Sequence, residues 1–178
     1  FAMAPDYETK TSYTARVTAS DGSNATTQSI TVNVTDVNDN APVFTSGSIF
    51  SVAENQTSIG TVIATDADSG DSVTFTVSGS ELSVTSAGVL SFSMVPDYAS
   101  KSSYTATITA TDGTNSTTQS ITVNVTDVND NAPVFTSGST FSAAENQTSI
   151  GTVTATDADS GDSVTFTVSG SELSITSA

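Results

Sequence analysis

The chain of 178 residues contains no cysteine, no histidine and no tryptophan. Without cysteine it can form neither a disulfide nor a thiolate metal site. Without histidine it lacks the commonest general base and a frequent zinc ligand. Basic residues are scarce too: three Lys and Arg stand against nineteen Asp and Glu, and the net charge of −16 opposes binding to nucleic acid or anionic lipid. This balance predicts a metal cation as the main counter-charge.

An internal repeat organises the whole chain. The heptapeptide from Asp36 to Pro42 recurs identically from Asp127 to Pro133, so the shift from residue 36 to residue 127 is 91 residues. A period of this length exceeds the ~20–50 residues of solenoid units and matches a small domain. We therefore predict the C-terminal half of a repeat at 1–40, a complete repeat at 41–131 and the N-terminal half of another at 132–178.

The complete repeat has the pattern of an all-β domain, and helix signals are absent. Segments rich in Thr, Val and aromatic residues alternate apolar with hydroxyl side chains and are bounded by Gly, Asn, Asp or Ser. This predicts about seven strands, near Phe50–Glu54 and at Ile59–Thr65, Val73–Ser78, Glu81–Thr85, Val89–Phe92, Ser103–Thr111 and Thr117–Thr126. One apolar face per strand is typical of a two-sheet sandwich.

Comparison of the repeats predicts which side chains face outward. Ile63 is replaced by Thr154 in the next repeat, whereas its neighbours Val62 and Ala64 recur as valine and alanine. We expect Ile63 to point to solvent.

The repeated heptapeptide alternates acidic and amide side chains with backbone carbonyls, the hard oxygen ligands that calcium takes in proteins. The alternative is a solvated acidic surface, which predicts scattered acids. Most acids instead concentrate at positions that a sandwich brings to its two ends, which favours ligation. The solvated reading is preferred for four acids that fit the pattern less well, Asp71, Glu81, Asp162 and Glu172.

Five separated motifs resemble the calcium motifs of cadherin repeats, in the order and with the spacing of that family. They are DVNDNAPVF at Asp36–Phe44 and Asp127–Phe135, the AENQ and ATDAD segments, PDYE and ATDG. The resemblance covers essentially the whole chain. It implies tandem seven-stranded Greek-key, immunoglobulin-like sandwiches, with three calcium ions (Ca2+) at each junction between repeats.

The resemblance also implies which residues hold the calcium ions. At the first junction these are Asp6, Glu8, Asp36, Asn38, Asp39, Asp66, Asp68, Asp112 and the carbonyls of Val37 and Asn40. At the second junction they are Glu54, Asp97, Asp127, Asn129, Asp130, Asp157, Asp159 and the carbonyls of Val128 and Asn131. Asp21, the equivalent of Asp112, would serve a preceding junction.

The chain departs from the family pattern at two places. Ala99 stands where the preceding repeat has Glu8, so we expect weaker upper calcium sites at the second junction. The loop Ser69–Asp71 is short and lacks the family's later asparagine carbonyl, for which Asp71 or a nearby carbonyl could substitute.

These features predict an extracellular, cell-surface function in adhesion. Extracellular calcium modules bind at about 0.1–1 mM, so the junctions would fill outside a cell and stiffen a long repetitive surface or filament protein. No apolar run reaches the ~20 residues that span a bilayer, so membrane insertion is not expected. Near-identical repeats, Thr- and Ser-rich faces and the lack of cysteine resemble the cadherin-like extender regions of bacterial adhesins.

Two other classes of function compete with this interpretation. The repeats could themselves adhere, to each other or to a carbohydrate, although the tryptophan anchor of classical cadherin strand exchange is missing. An enzyme could use Asp66 and Asp68 as paired carboxylates, as glycosidases do. Such a pair inside a calcium motif is far more often a pair of ligands, so we expect no enzymatic activity.

The two half-repeats have too few strands to close a sandwich, and an open sheet edge pairs readily. The expected partners are neighbouring repeats or head-to-tail copies, with the strand Tyr13–Ala19 of one copy beside Val164–Val168 of another. This arrangement is either a polymer or a slice of a longer chain. Ala178 matches Ala87 and Phe1 matches Phe92, so the joint omits only the equivalents of residues 88–91.

Overall fold

The computed structural model describes residues 1–176, so the predicted match of Ala178 lies outside the described residues. Within them every regular element is a β-strand. The strands are β1 Ser12–Ser20, β2 Ala25–Asn33, β3 Val43–Phe44, β4 Ile49–Ala53, β5 Ser58–Thr61, β6 Ala64–Thr65, β7 Thr74–Val77, β8 Leu82–Val84, β9 Val89–Phe92, β10 Ser103–Thr111, β11 Ser116–Thr126, β12 Val134–Phe135 and β13 Ala155–Thr156. A search of residues 1–176 for helices of the length and hydropathy needed to cross a membrane finds none.

Strands β3 to β11 form a β-sandwich. One layer is a four-stranded sheet in the order β4-β11-β10-β7, in which β4 runs parallel to β11 and the other pairs are antiparallel. The facing layer contains the three-stranded sheet β5-β9-β8 and the pair β3-β6. The predicted all-β, immunoglobulin-like sandwich of cadherin type is confirmed.

One of the seven predicted strands needs correction, and the prediction missed one further strand. The short strand β3 was not predicted, and the segment predicted as one strand, Ile59–Thr65, forms β5 and β6. The chain changes its hydrogen-bonding partner between these strands, because β5 pairs with β9 and β6 pairs with β3. The N–H of Val62 donates to the carbonyl of Gly88 in the β8–β9 turn, whereas the carbonyl of Ile63 accepts N–H groups of the segment after β3. Long-range pairing, rather than local propensity, divides this strand.

The core lies between the two layers. Its large, fully buried side chains include Leu90, Ile108, Ile121, Val62 and Val123, and Phe75 and Phe92 belong to the same cluster. The alternating hydroxyl residues face outward, as β10 and β11 show by their alternating burial. Ile63 is 52% exposed, which confirms the expectation drawn from the repeat comparison.

The sandwich brings the acidic loops to its two ends. Val43 lies opposite Thr65 in the antiparallel pair β3-β6, so the peptide before β3 meets the loop after β6 at one end. Parallel pairing of β4 with β11 places Ala53 beside Thr126, so the segments that follow both strands leave together at the other end.

The flanking segments repeat parts of this architecture. The hairpin β1-β2 has the register of β10-β11, since Ser12 lies opposite Asn33 as Ser103 lies opposite Asn124. Strands β12 and β13 pair as β3 and β6 do. Neither flanking segment forms a two-layer sandwich with the strands described.

Candidate metal centre

The peptide from Asp36 to Asn40 is held against the loop that follows β6. The backbone N–H and the side-chain amide of Asn40 donate to the two carboxylate oxygens of Asp68, at 2.9 and 2.7 Å. The N–H of Ser69 donates to Oδ2 of Asp36 at 2.6 Å. These bonds join the linker to the end of the sandwich, and Asp68 is buried as a result.

Five carboxylates gather around this contact in two overlapping groups. Glu8, Asp36 and Asp68 form one group, and Asp66, Asp68 and Asp112 form the other. Within each group one oxygen of every residue lies within 4.8 Å of the others. Glu8 precedes the linker and Asp112 follows β10, so the groups combine distant parts of the chain. Like charges repel at such distances, which favours a bound cation.

The protein supplies no cation to these groups from its described residues. Lys10 lies over a tyrosine ring, and Arg16 donates to a threonine hydroxyl. Lys101 pairs with Glu81 at 2.5 Å, the one ion pair found between residues 1 and 176. The junction carboxylates therefore keep their charge uncompensated by the chain.

Two carboxylate oxygens of the groups are buried without a hydrogen-bond donor: Oδ1 of Asp36 and Oδ2 of Asp66. Buried acceptors rarely stay unpaired, because the lost hydration is then not replaced. A metal ion would supply the missing partner. Calcium takes six to eight oxygens in flexible geometry, whereas magnesium demands a near-ideal octahedron and usually retains waters. The donor set therefore fits calcium.

The side-chain amide of Asn115 ties the linker to the turn after β10. It donates to Oδ1 of Asn38 at 2.6 Å and to the carbonyl of Asn40 at 2.9 Å, while its own backbone N–H donates to Asp112 at 2.7 Å. Asn115 lies outside the motifs from which the calcium ligands were predicted. A signal was available, because Asn24 stands at the equivalent position of the preceding repeat.

Three other predicted residues of the first junction lie outside the two groups. Asp6 closes a local turn, in which its Oδ1 accepts the N–H of Glu8 at 3.0 Å. Asp39 is exposed, and its carboxylate accepts the amide of Asn40 at 3.1 Å. Val37, predicted to act through its carbonyl, has a solvent-exposed side chain.

The second junction repeats the linker contacts of the first. Asn131 donates from its backbone and its amide to Asp159, at 2.9 and 2.7 Å, and Ser160 donates to Oδ2 of Asp127 at 2.5 Å. Each bond is the counterpart, 91 residues later, of a bond at the first junction. The shared heptapeptide thus builds the same local structure twice.

Glu54 connects the complete repeat to this second linker. Its carboxylate is buried and accepts the N–H groups of Val128 and Tyr98, both at 2.8 Å. The next residue, Asn55, has a positive φ of 65°, which asparagine adopts more readily than most residues. Its amide donates to Asp130 at 2.5 Å. The AENQ motif of the complete repeat therefore binds the second linker through Glu54 and Asn55.

A three-carboxylate group lies below the second linker. It contains Asp157, Asp159 and Asp162, and the amide of Asn129 donates to Asp162. Asp162 was expected to be a solvated surface acid. It is exposed, but its carboxylate lies within 4.8 Å of those of Asp157 and Asp159. Its repeat equivalent Asp71 belongs to no carboxylate group among the described residues.

The upper side of the second junction is poorer in carboxylates than that of the first. Ala99 is exposed where the first junction has Glu8. Asp97 lies apart from the group, and its Oδ2 accepts the hydroxyl of Ser100 at 2.7 Å.

The electrostatics of the junctions appear in the pKa values. Burial raises the pKa of Asp127, and the charges of Asp159, Glu54 and Asp162 raise it further against a hydrogen bond from Ser160. The amide of Asn131 lowers the pKa of Asp159 despite its burial. Burial and neighbouring carboxylates thus oppose ionisation of Asp127, whereas the asparagine amide favours the charged form of Asp159.

The complete repeat is a two-layer sandwich that carries carboxylates at both ends, and linkers of the same sequence connect it to its neighbours. These features define a tandem-repeat module of immunoglobulin-like fold. The sequence model described as "Bacterial Ig domain" matches residues 38–126. The chain belongs to this bacterial Ig domain family, and its repeat is a cadherin repeat.

Known cadherins are similar in sequence and in structure. The chain is 37% identical over 182 residues to the mouse protein Cadherin EGF LAG seven-pass G-type receptor 1, with 90% of the chain and 6% of the receptor covered. The protocadherin gammaB7 EC3-6 cis-dimer structure has a TM-score of 0.75 and 33% identity, covering 88% of this chain and 44% of that chain. The structure of Protocadherin Gamma B2 extracellular cadherin domains 3-6 has a TM-score of 0.74 and 32% identity. The match covers 88% of this chain and 45% of that chain. The chain therefore spans a small part of the receptor and less than half of either structure.

Proposed function

We propose that the chain is a calcium-stiffened segment of a tandem array, with repeat boundaries at 1–40, 41–131 and 132–178. One observation carries the proposal: buried oxygens of Asp36 and Asp66 lack hydrogen-bond partners within two overlapping carboxylate groups, which no basic side chain of residues 1–176 neutralises. Cadherin repeats are generally calcium-binding, which supports the same conclusion.

Calcium would be held by residues from both sides of each linker. At the first junction the closest set is Glu8, Asp36, Asp66, Asp68 and Asp112; Asn38 and the carbonyls of the linker are additional donors. Bound calcium neutralises the mutual repulsion of these groups and connects two repeats through bonds that neither repeat makes alone. With three ions at each of two junctions, the formal charge would change from −16 to about −4.

The proposed setting is the surface of a cell. Extracellular calcium modules bind at about 0.1–1 mM, so the junctions fill after export and the chain becomes stiff there. The role is that of an extender in a long repetitive surface or filament protein involved in adhesion. Two facts support a bacterial adhesin: the match to a bacterial domain family, and the near identity of successive repeats.

Calorimetric titration of calcium into the metal-free protein tests the proposal. Asp68→Asn keeps the shape of the side chain but removes the charge shared by both groups, so we expect at least a tenfold loss of affinity at the first junction. Asp71→Asn removes the same charge three residues away, from outside the groups, and should bind like the wild type. Equal curves for the two variants would refute the proposed site.

A second candidate function is adhesion by the repeats themselves. One of the similar structures is described as a cis-dimer of protocadherin gammaB7, which favours contacts between repeats of separate molecules. A glycan array and a homophilic bead assay, both with calcium present, separate adhesion from passive extension. Calcium-dependent capture in either assay would favour this second function.

A further inference from the structure

The side-chain amide of Asn115 meets three oxygens of the first junction with one nitrogen. Its Nδ2 lies 2.6 Å from Oδ1 of Asn38, 2.9 Å from the carbonyl oxygen of Asn40 and 3.4 Å from Oδ2 of Asp112. All three residues are ones that the cadherin resemblance implies as calcium ligands. Two of them belong to the linker and the third to the turn after β10, so one side chain connects the linker with this turn.

The linker is thereby bound to the sandwich at two places. On one side, the loop after β6 holds it through the bonds of Asn40 to Asp68 and of Ser69 to Asp36. On the other side, the amide of Asn115 holds it from the tip of the hairpin β10-β11. The two loops are far apart in the chain, so the linker has one conformation that satisfies both.

The turn that carries Asn115 is held by bonds of its backbone and of Asp112. Oδ1 of Asp112 accepts the N–H groups of Thr114 and Asn115, at 2.6 and 2.7 Å. The N–H of Asp112 donates to the carbonyl of Asn115 at 3.3 Å. These bonds do not use the amide of Asn115. Removal of the amide therefore leaves the turn in place and affects the linker.

The neighbours of Asn115 determine which end of its amide faces the linker. A backbone carbonyl and an ionised carboxylate accept hydrogen bonds and cannot donate them. The carbonyl of Asn40 and the carboxylate of Asp112 therefore require the NH2 end of Asn115. That NH2 group in turn requires an acceptor from Asn38, because two NH2 groups cannot bond to each other. Asn115 thus makes Asn38 present its oxygen, the atom that a calcium ion would use.

Donation by Asn115 leaves the oxygens of Asn38 and Asn40 able to bind a cation. Each carbonyl oxygen has two lone pairs, so it can accept one hydrogen bond and also ligate an ion. Residues that orient metal ligands in this way commonly stand behind them, and their loss typically lowers metal affinity by about 10–100-fold.

We propose that Asn115 is a positioning residue of the first junction. It holds Asn38, Asn40 and Asp112 in the arrangement that binds calcium, and it does so through hydrogen bonds to these residues and not as a ligand. This role rests on the proposed calcium function and assigns to one residue the orientation of three of its ligands.

Asn24 provides a matched control, because it occupies the equivalent position of the preceding repeat. Its N–H donates to Oδ1 of Asp21 at 2.7 Å, as the N–H of Asn115 does to Asp112. The turn of Asn24 follows β1, at the end of the hairpin β1-β2 away from the first linker. Within residues 1–176 its amide has one hydrogen-bond partner, Asp21 at 3.4 Å.

Calorimetric titration of calcium tests the role in binding. Asp159→Asn in every sample weakens the second junction, so that the curve reports the first. In this background Asn115→Ala should lower the affinity about 10–100-fold, and Asn24→Ala should leave it unchanged. Asn115→Asp adds a negative charge but cannot donate, so positioning predicts weaker binding. Tighter binding by Asn115→Asp would show that residue 115 ligates the ion, and an unchanged curve for Asn115→Ala would likewise overturn the proposal.

Nitrogen-15 relaxation of linker residues 36–40, measured without added calcium, tests the positioning directly. Backbone order parameters should fall below about 0.6 in Asn115→Ala and keep their wild-type values in Asn24→Ala. The melting temperature without calcium should shift by less than about 4 °C, because the turn keeps its bonds. A larger drop, or a linker as ordered as in the wild type, would overturn the positioning role. A wild type that binds no calcium would refute the proposed function instead, and the relaxation comparison would still decide whether Asn115 orders the linker.

Discussion

Asp68 contacts the linker and both carboxylate groups of the first junction. Its oxygens accept two bonds from Asn40, and it belongs to both carboxylate groups. Asp159 repeats the two asparagine bonds at the second junction but has no counterpart of Glu8 above it. The position of Glu8 and Ala99 is thus one of the differences between two junctions that share the same linker sequence.

Replacement of Ala99 by glutamate should strengthen calcium binding at the second junction. The new carboxylate occupies the position equivalent to Glu8, which lies beside Asp36 and Asp68 at the first junction. We expect at least a severalfold gain in calorimetric affinity, since one more carboxylate ligand joins the upper sites. Ser80→Glu adds the same charge in an exposed turn and is the control. An unchanged titration curve for Ala99→Glu would show that position 99 does not face the metal.

Among the glycines, Gly88 is the one whose replacement should lower the free energy of unfolding most. Its φ is +87°, and a Cβ there would lie 2.3 Å from the carbonyl oxygen of Val62. Gly79 has a similar φ of +82° but open space around it. Gly79→Ala should therefore cost about 1–2 kcal/mol of unfolding free energy for the left-handed backbone alone. Gly88→Ala should cost clearly more in denaturant unfolding followed by circular dichroism; equal costs would mean that the turn relieves the clash.

At the scale of the strands, the same sequence occupies different environments in successive repeats. β2 and β11 share the segment TTQSITVN, yet β2 is exposed along its length and β11 contributes three core residues. Both form the same hairpin with the preceding strand, whereas β11 also pairs with β4. Local sequence determines the hairpin, and the facing layer determines burial.

Identical substitutions in these two strands should therefore differ in effect. Ile121→Ala removes a fully buried side chain and should lower the unfolding free energy of the complete repeat by about 2–5 kcal/mol. Ile30→Ala, at the equivalent exposed position, should change it by less than about 0.5 kcal/mol in dilute solution. Thermal unfolding of both variants makes the comparison. A similar loss in the two would mean that the hairpin β1-β2 is packed against the complete repeat.

At the scale of the whole molecule, the linkers decide the shape of the chain. Without metal, the carboxylates that gather at each junction repel one another. Calcium should order both linkers, raise the melting temperature and give a more extended profile in small-angle X-ray scattering. Magnesium at the same concentration should do much less, because it requires a near-octahedral site and dehydrates reluctantly. Matching profiles in the two metals would contradict calcium-specific stiffening.

The sequence alone determined the strand content, the outward face of Ile63 and the collection of acids at the ends of the sandwich. Period-2 alternation and a repeated motif are local signals, and they specify which side chains share a face and which loops share a composition. The tertiary structure decided the division of Ile59–Thr65 into β5 and β6, the amide bridge from Asn115 to the linker and the approach of Asp162 to Asp157. These features depend on contacts between residues far apart in the chain, which propensity and spacing do not encode. Burial is likewise a tertiary property, because Ile30 and Ile121 occupy the same position of the repeat and only Ile121 lies between two layers.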